Sequence, residues 1–288
     1  MGYPREHALN VRVRKVPRPR SSFIACGSWF MGLLLLSACD SKPAPEDTSY
    51  QLVWADEFET DGDLNPADWN HTTGGSGFGN NELQFYTGPE DDNAWVEDGH
   101  LIIEARLEDR EDKHYTSARV NTRGKHDMTY GRVEVRARLP EGRGTWPAIW
   151  MLYTDRDYGN GGWPDNGEID IMEHVGFDQG TVHATVHTAD FNHVMGTQVG
   201  ESIYLDDVST TFHVYAIEWT PDEIRASVDD STYFTFENTG DGWGAWPFDH
   251  DHHLILNIAI GGNWGGQQGV DDTILPTQME IDYVRIYE

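Results

Sequence analysis

Between Gly131 and Leu139 the chain reads GRVEVRARL, and apolar Val133, Val135, Ala137 and Leu139 alternate with Arg132, Glu134, Arg136 and Arg138. A repeat of two belongs to a strand with one face in a core and the other in water. Leu101–Leu107, Ile224–Val228 and Ile281–Ile286 read similarly. The segment His253–Ile260, HLILNIAI, is more fully apolar and predicts a central strand. Turn formers such as Glu141-Gly142 and Gly261-Gly262 separate these segments. No stretch carries the 3.6-residue period of a long helix. The pattern predicts an all-β fold: two antiparallel sheets packed as a jelly-roll sandwich, with loops long enough to form a cleft.

One strand-like segment is unusual. Gly167–Glu173 reads GEIDIME, with three carboxylates in six residues. Strict alternation puts Glu168 and Asp170 on one face and Glu173 on the other, with Ile169 and Ile171. A β-bulge near Ile171-Met172 would return Glu173 to the face of Glu168. Like charges so close are costly unless one holds a proton. Retaining glycoside hydrolysis uses such a pair, an ionised nucleophile and a protonated acid about 5 Å apart. Taken alone, the segment could equally be a solvated acidic strand or a calcium site.

Composition removes other chemistries. Of 288 residues, 49 are acidic and 20 basic, and the net charge of -29 repels nucleic acid and anionic lipid. The only cysteines are Cys26 and Cys39, so nothing after residue 39 supports a disulfide scaffold, a thiol nucleophile or a cysteine zinc site. The first twenty residues carry six basic side chains, an apolar run follows from Phe23 to Leu36, and Leu36-Ser37-Ala38-Cys39 closes it. That order predicts an export signal rather than a membrane-spanning helix. Its end resembles the lipobox of bacterial lipoproteins, which implies lipidation at Cys39 and a membrane anchor, periplasmic or at the cell surface, with plain secretion as the alternative. Residues 40–49 read as a tether and residues 50–288 as one catalytic domain.

The tryptophans shape the picture further. Trp146 and Trp150 stand four residues apart, Trp163 precedes Glu168 by five, and Trp243, Trp246 and Trp264 lie in or beside glycine-rich turns. A flat ring in such a turn is less readily explained by core packing than one inside a strand, and a pyranose ring stacks on such a face. Trp219 reads as ordinary core; Trp150 reads as core or cleft.

These motifs together resemble glycoside hydrolase family 16, and within it the bacterial laminarinases, which are endo-1,3-β-glucanases. Glu168, Asp170 and Glu173 match the family's bulged Glu-x-Asp-x-x-Glu signature. The likeness extends through Asn80–Tyr86, Tyr130–Glu134, Thr145–Leu152 and Leu256–Gly266. It implies a concanavalin A-like jelly roll with an open cleft on its concave face. Glu168 matches the nucleophile, Glu173 the acid/base and Asp170 the supporting carboxylate. Asn80, Trp146, Trp150 and Trp163 match sugar-binding positions, and His187 a histidine near the acid/base. No cofactor is required for the chemistry. The resemblance implies a structural calcium held by backbone oxygens of Glu57 and Gly99 and by the Asp282 carboxylate. The run His250-Asp251-His252-His253 is a poor metal site, because consecutive residues rarely converge on one ion. The expected partners are β-glucan polysaccharide and its oligosaccharides, with no nucleic acid and no membrane contact beyond the lipid anchor, and the expected state is a monomer. The alternatives are a galactan-type hydrolase (agarase, porphyranase or carrageenase), a mixed-linkage β-glucanase, and a non-catalytic glucan-binding protein.

Overall fold

The structure, a computed structural model, describes residues 50–288. The export signal, the lipidation site at Cys39 and the tether fall outside the described residues. In chain order the strands are β1 (Leu52–Asp56), β2 (Asn70–His71), β3 (Gln84–Tyr86), β4 (Ala94–Glu97), β5 (His100–Arg110), β6 (Lys113–Ser117), β7 (Arg119–Asn121), β8 (Gly131–Arg138) and β9 (Thr145–Tyr153). They continue as β10 (Glu168–His174), β11 (Thr181–His187), β12 (Val199–Tyr204), β13 (His213–Trp219), β14 (Glu223–Val228), β15 (Ser231–Glu237), β16 (His252–Ile260) and β17 (Thr277–Tyr287). Among the described residues the helical pieces are two three-residue 3-10 turns, Pro89–Asp91 and Asp272–Ile274, and no helix is long and apolar enough to cross a membrane.

The strands form two sheets. The ten-stranded sheet runs β15-β14-β13-β8-β17-β5-β6-β3, with β1 added against β17 and β4 against β5. The seven-stranded sheet runs β12-β11-β10-β9-β16-β7-β2. Pairing is antiparallel throughout except between β3 and β6, which are parallel. The jelly-roll sandwich expected from the alternation is therefore the fold.

Strand β8 illustrates how the pattern becomes structure. Val133, Val135 and Ala137 are completely buried between the sheets. The arginines on its other face meet carboxylates: Arg132 pairs with Glu134 two residues along the same strand and with Glu218 of β13, while Arg136 and Arg138 pair with Asp282 and Glu280 of β17. In β16 all nine residues are buried, as its continuous apolarity requires, because β9 and β7 flank it. Trp219 is core, its indole N–H donating to the Phe248 carbonyl. Fully burying an aliphatic side chain contributes about 1.5–3 kcal/mol, so the inward positions of two such sheets outweigh any single surface contact.

Candidate active site

The acidic strand is β10, in the seven-stranded sheet between β9 and β11. Its pairing slips between Asp170 and Met172 against β9, and between Asp170 and Glu173 against β11. The slip leaves Ile171 and Met172 both facing the core, both with no exposed area, beside nearly buried Ile169. Glu168, Asp170 and Glu173 therefore all emerge on the outer face, on the wall of one cleft of about 1050 Å³. The bulge is held by three apolar side chains that would otherwise lose their burial. Gly167 feeds the strand at φ +85°, and a Cβ there would stand 2.7 Å from the Phe248 ring.

Each glutamate is tied by one indole. Trp163 Nε1 donates to Glu168 Oε2 at 3.0 Å, and Trp146 Nε1 donates to Glu173 Oε1 at 2.9 Å. Burial raises all three carboxyl pKa values above the ordinary range. The charge of Glu173 adds to the rise at Glu168, and the charges of Glu173 and Glu168 add to it at Asp170. The indole bonds act the other way, favouring the ionised forms of Glu168 and Glu173. The trio thus keeps at least one proton near neutral pH while the hydrogen-bonded oxygens remain able to carry charge. His187, opposite Glu168 on β11, is pushed down to about 4 by burial and then by His193, so it is neutral. Its Nε2 lies 3.4 Å from Asp170 Oδ2 and 3.8 Å from Glu168 Oε1.

Residues 81–285 match the family model for glycosyl hydrolases family 16. The chain belongs to that family. It is 54% identical over 282 residues to the beta-glucanase of Rhodothermus marinus, covering 96% of each chain. It is 38% identical over 271 residues to the glucan endo-1,3-beta-glucosidase of Cryptopygus antarcticus, covering 88% of this chain and 96% of that one. The X-ray structure of the laminarinase from Rhodothermus marinus superposes with a TM-score of 0.82 at 58% identity, covering 83% of this chain and 97% of that one.

In this family 16 hydrolase the expected cleft residues come together. Asn80, Trp146, Trp150, Trp163 and His187 all line the cavity with the three carboxylates. Trp150 belongs to the cleft rather than the core, its N–H held by Asn257 Oδ1 at 2.8 Å. Across the β10–β11 pair His187 stands opposite Glu168, and His183 stands opposite Glu173. Trp246 differs from expectation: it is buried and stacks on Phe236 at 5.5 Å. The glycine-rich turn delivers it inward because Phe236 and Phe248 form an aromatic pocket there. Trp243 is exposed and stacked on Tyr158.

Several cleft residues are not evident from sequence pattern. Arg119 lays its guanidinium 4.7 Å from the Trp150 ring and 5.2 Å from Phe78. Buried Glu82 accepts from Gln84 and Tyr86. Trp264 meets Trp146 edge-on, and His193 packs 4.8 Å from Trp163. Arg119 opens the short strand β7 between β16 and β2, the others come from loops, and only the fold makes neighbours of them. The glycine-rich setting of Trp264 in GGNWGG is the one signal the sequence carries.

The oxygen donors expected for calcium lie at the other sheet. Asp56 pairs with Val284 and Leu101 with Ile281, so the segments carrying Glu57 and Gly99 converge on β17 beside Asp282. Two carbonyls and a carboxylate are hard donors that fit calcium. Asp282 also meets Arg136 at 2.5 Å and His100 at 3.6 Å, so an ion there would share its carboxylate. The His250–His253 run is structural: His250 Nε2 bonds the Asn166 carbonyl and His252 Nδ1 the His250 carbonyl.

Proposed function

We infer that this family 16 hydrolase cleaves β-1,3-glucan internally with retention of anomeric configuration. The bulge that turns Glu168, Asp170 and Glu173 onto one cleft wall, with an indole N–H on each glutamate, carries this reading. Ionised Glu168 attacks the anomeric carbon while protonated Glu173 donates to the departing oxygen. Water activated by Glu173 then releases the glycosyl-enzyme. Asp170 supports Glu168 electrostatically, with His187 beside both. Trp146, Trp150 and Trp163 supply ring faces and fixed N–H groups, and Asn80 reaches the sugar from its loop.

The relatives named above are described as a beta-glucanase, a glucan endo-1,3-beta-glucosidase and a laminarinase, which supports a glucan over a galactan. Charge placement agrees. Arg132, Arg136 and Arg138 are neutralised on the ten-stranded sheet, so a sulfated chain in the cleft would meet chiefly Arg119. Proton NMR of the first product from laminarin should show the β-anomer before mutarotation. An α-anomer first excludes double displacement. Glu168→Gln should cost more than a thousandfold in kcat, and Glu173→Gln should hurt least on aryl glycosides with good leaving groups. Cleavage of agarose but not laminarin would keep the mechanism and change the substrate; lichenan tests mixed linkages.

Three further readings complete the proposal. Calcium on Glu57, Gly99 and Asp282 would staple the first strand to the last, so chelation should lower Tm by a few degrees and calcium should restore it. Asp282→Ala should remove that calcium response; an unchanged response would place the ion elsewhere. Export with lipidation at Cys39 would present the enzyme to polysaccharide outside the cytoplasm. The catalytic domain acts as a monomer.

A further inference from the structure

We propose that Glu168, Asp170 and His187 form an exchangeable binding site for a divalent transition ion, zinc foremost, on the wall of the cleft. One ligand atom from each lies within 4.8 Å of the other two, the one such grouping of three potential metal ligands among the described residues. Asp170 is 4% exposed, and its Oδ2 is buried with no hydrogen-bond partner although it points toward His187 Nε2. Trp163 engages Oε2 of Glu168, which leaves Oε1 turned toward the same histidine nitrogen.

The spacing suits a small tetrahedral ion. Ligands at about 2.0–2.1 Å from zinc stand about 3.3 Å from one another. The His187–Asp170 separation of 3.4 Å already has that value. The His187–Glu168 separation of 3.8 Å needs to close by about half an ångström, and the Glu168 and Asp170 oxygens, within 4.8 Å of each other, must also approach to about 3.3 Å; a glutamate rotamer change serves both. A nitrogen donor beside two carboxylates favours zinc, cobalt or nickel over calcium and magnesium, which prefer oxygen. Tight metal sites anchor the second nitrogen of the ligating histidine. Here His187 Nδ1 is buried without a partner, so the ion should exchange rather than stay as a permanent cofactor. All three residues line the cleft, so a fourth ligand would come from the space where a sugar would lie.

Zinc and glucan should therefore exclude each other, and the resulting inhibition rests on the reading of Glu168 as nucleophile. The test is calorimetric titration of the intact protein with zinc chloride in excess calcium, which fills oxygen-only sites. Cobalt absorption reports the coordination geometry. One zinc per chain is expected, weakened at least tenfold in His187→Ala and in Asp170→Asn. Binding should be unchanged in His114→Ala, which removes an exposed histidine paired with Asp109. Laminari-oligosaccharide should raise the apparent zinc Kd. Absence of saturable binding, or equal binding in both site variants with folding verified by circular dichroism, overturns the proposal. Zinc bound through these residues without loss of activity would uphold the site and overturn the role given to Glu168.

Discussion

At the residue scale the site holds a conflict that sets its chemistry. Three carboxylates share one wall, and burial together with mutual repulsion raises their pKa values. The folded chain consequently holds protons that the unfolded chain releases. Stability contributed by these groups is present below the ordinary carboxylate range, about pH 4, and is lost as pH rises through it toward the raised folded values. Replacing a charge by its amide should relieve that loss. Glu168→Gln is expected to be catalytically dead yet to melt a few degrees higher at pH 7, with the gain shrinking at acid pH. Calorimetry at both pH values checks this. A lower Tm at neutral pH would mean that the indole bond outweighs desolvation and repulsion.

The carboxylates were legible because their spacing departs from strand alternation and the departure has one local remedy, a bulge. The indole partners were not. From the sequence Trp163 and Trp146 match sugar-binding positions, and nothing in sequence spacing aims an N–H at a particular oxygen. That His187 stands opposite Glu168 and His183 opposite Glu173 is equally hidden in the sequence, because register depends on where the neighbouring strand begins.

At the element scale the loop before β10 decides how Trp163 is held. Asn166, fully buried, accepts from the Tyr158 N–H at 2.8 Å and donates to the Tyr158 carbonyl at 3.2 Å. It closes residues 158–166 into a ring of chain, and Trp163 projects from that ring onto Glu168. Asn166 is thus a positioning residue. Asn166→Ala should move the acid limb of the kcat/KM profile to higher pH, because Glu168 loses a donor that favours its ionised form. Trp163→Phe should do the same and lower kcat/KM about ten- to a hundredfold near neutrality, the worth of a hydrogen bond to a charged group at about 1.5–3 kcal/mol. The double variant should be no worse than Trp163→Phe alone. Additive losses would show that Asn166 acts independently of Trp163 and does not position it.

At the scale of the molecule, charge is the unusual feature. The acidic and basic totals leave -29 over 288 residues. Removing the six bases and one acid of the first twenty residues makes the remainder five charges more negative, -34. Self-repulsion of that size destabilises a folded state and is screened by salt, since the Debye length falls from about 10 Å at 0.1 M to about 3 Å at 1 M. Raising sodium chloride across that range should raise Tm by several degrees. A flat or falling Tm would show that the surface ion pairs, which salt weakens, outweigh the repulsion.

Sequence by itself determined the class of fold, the strand that carries the three carboxylates and the supply of aromatic rings, because alternation, turn residues and a crowded carboxylate motif are local properties of the chain. Tertiary structure decided which rings meet sugar and which fill the core. Trp246 and Trp264 both sit in glycine-rich turns, yet one packs on Phe236 while the other borders the cleft. It likewise set arginines of β8 against carboxylates of distant strands and drew Arg119 and Glu82 to the cleft that the three carboxylates line. The physical reason is common to these cases. A loop side chain is placed by contacts with residues far away in sequence, and those contacts exist only after the two sheets have closed on one another.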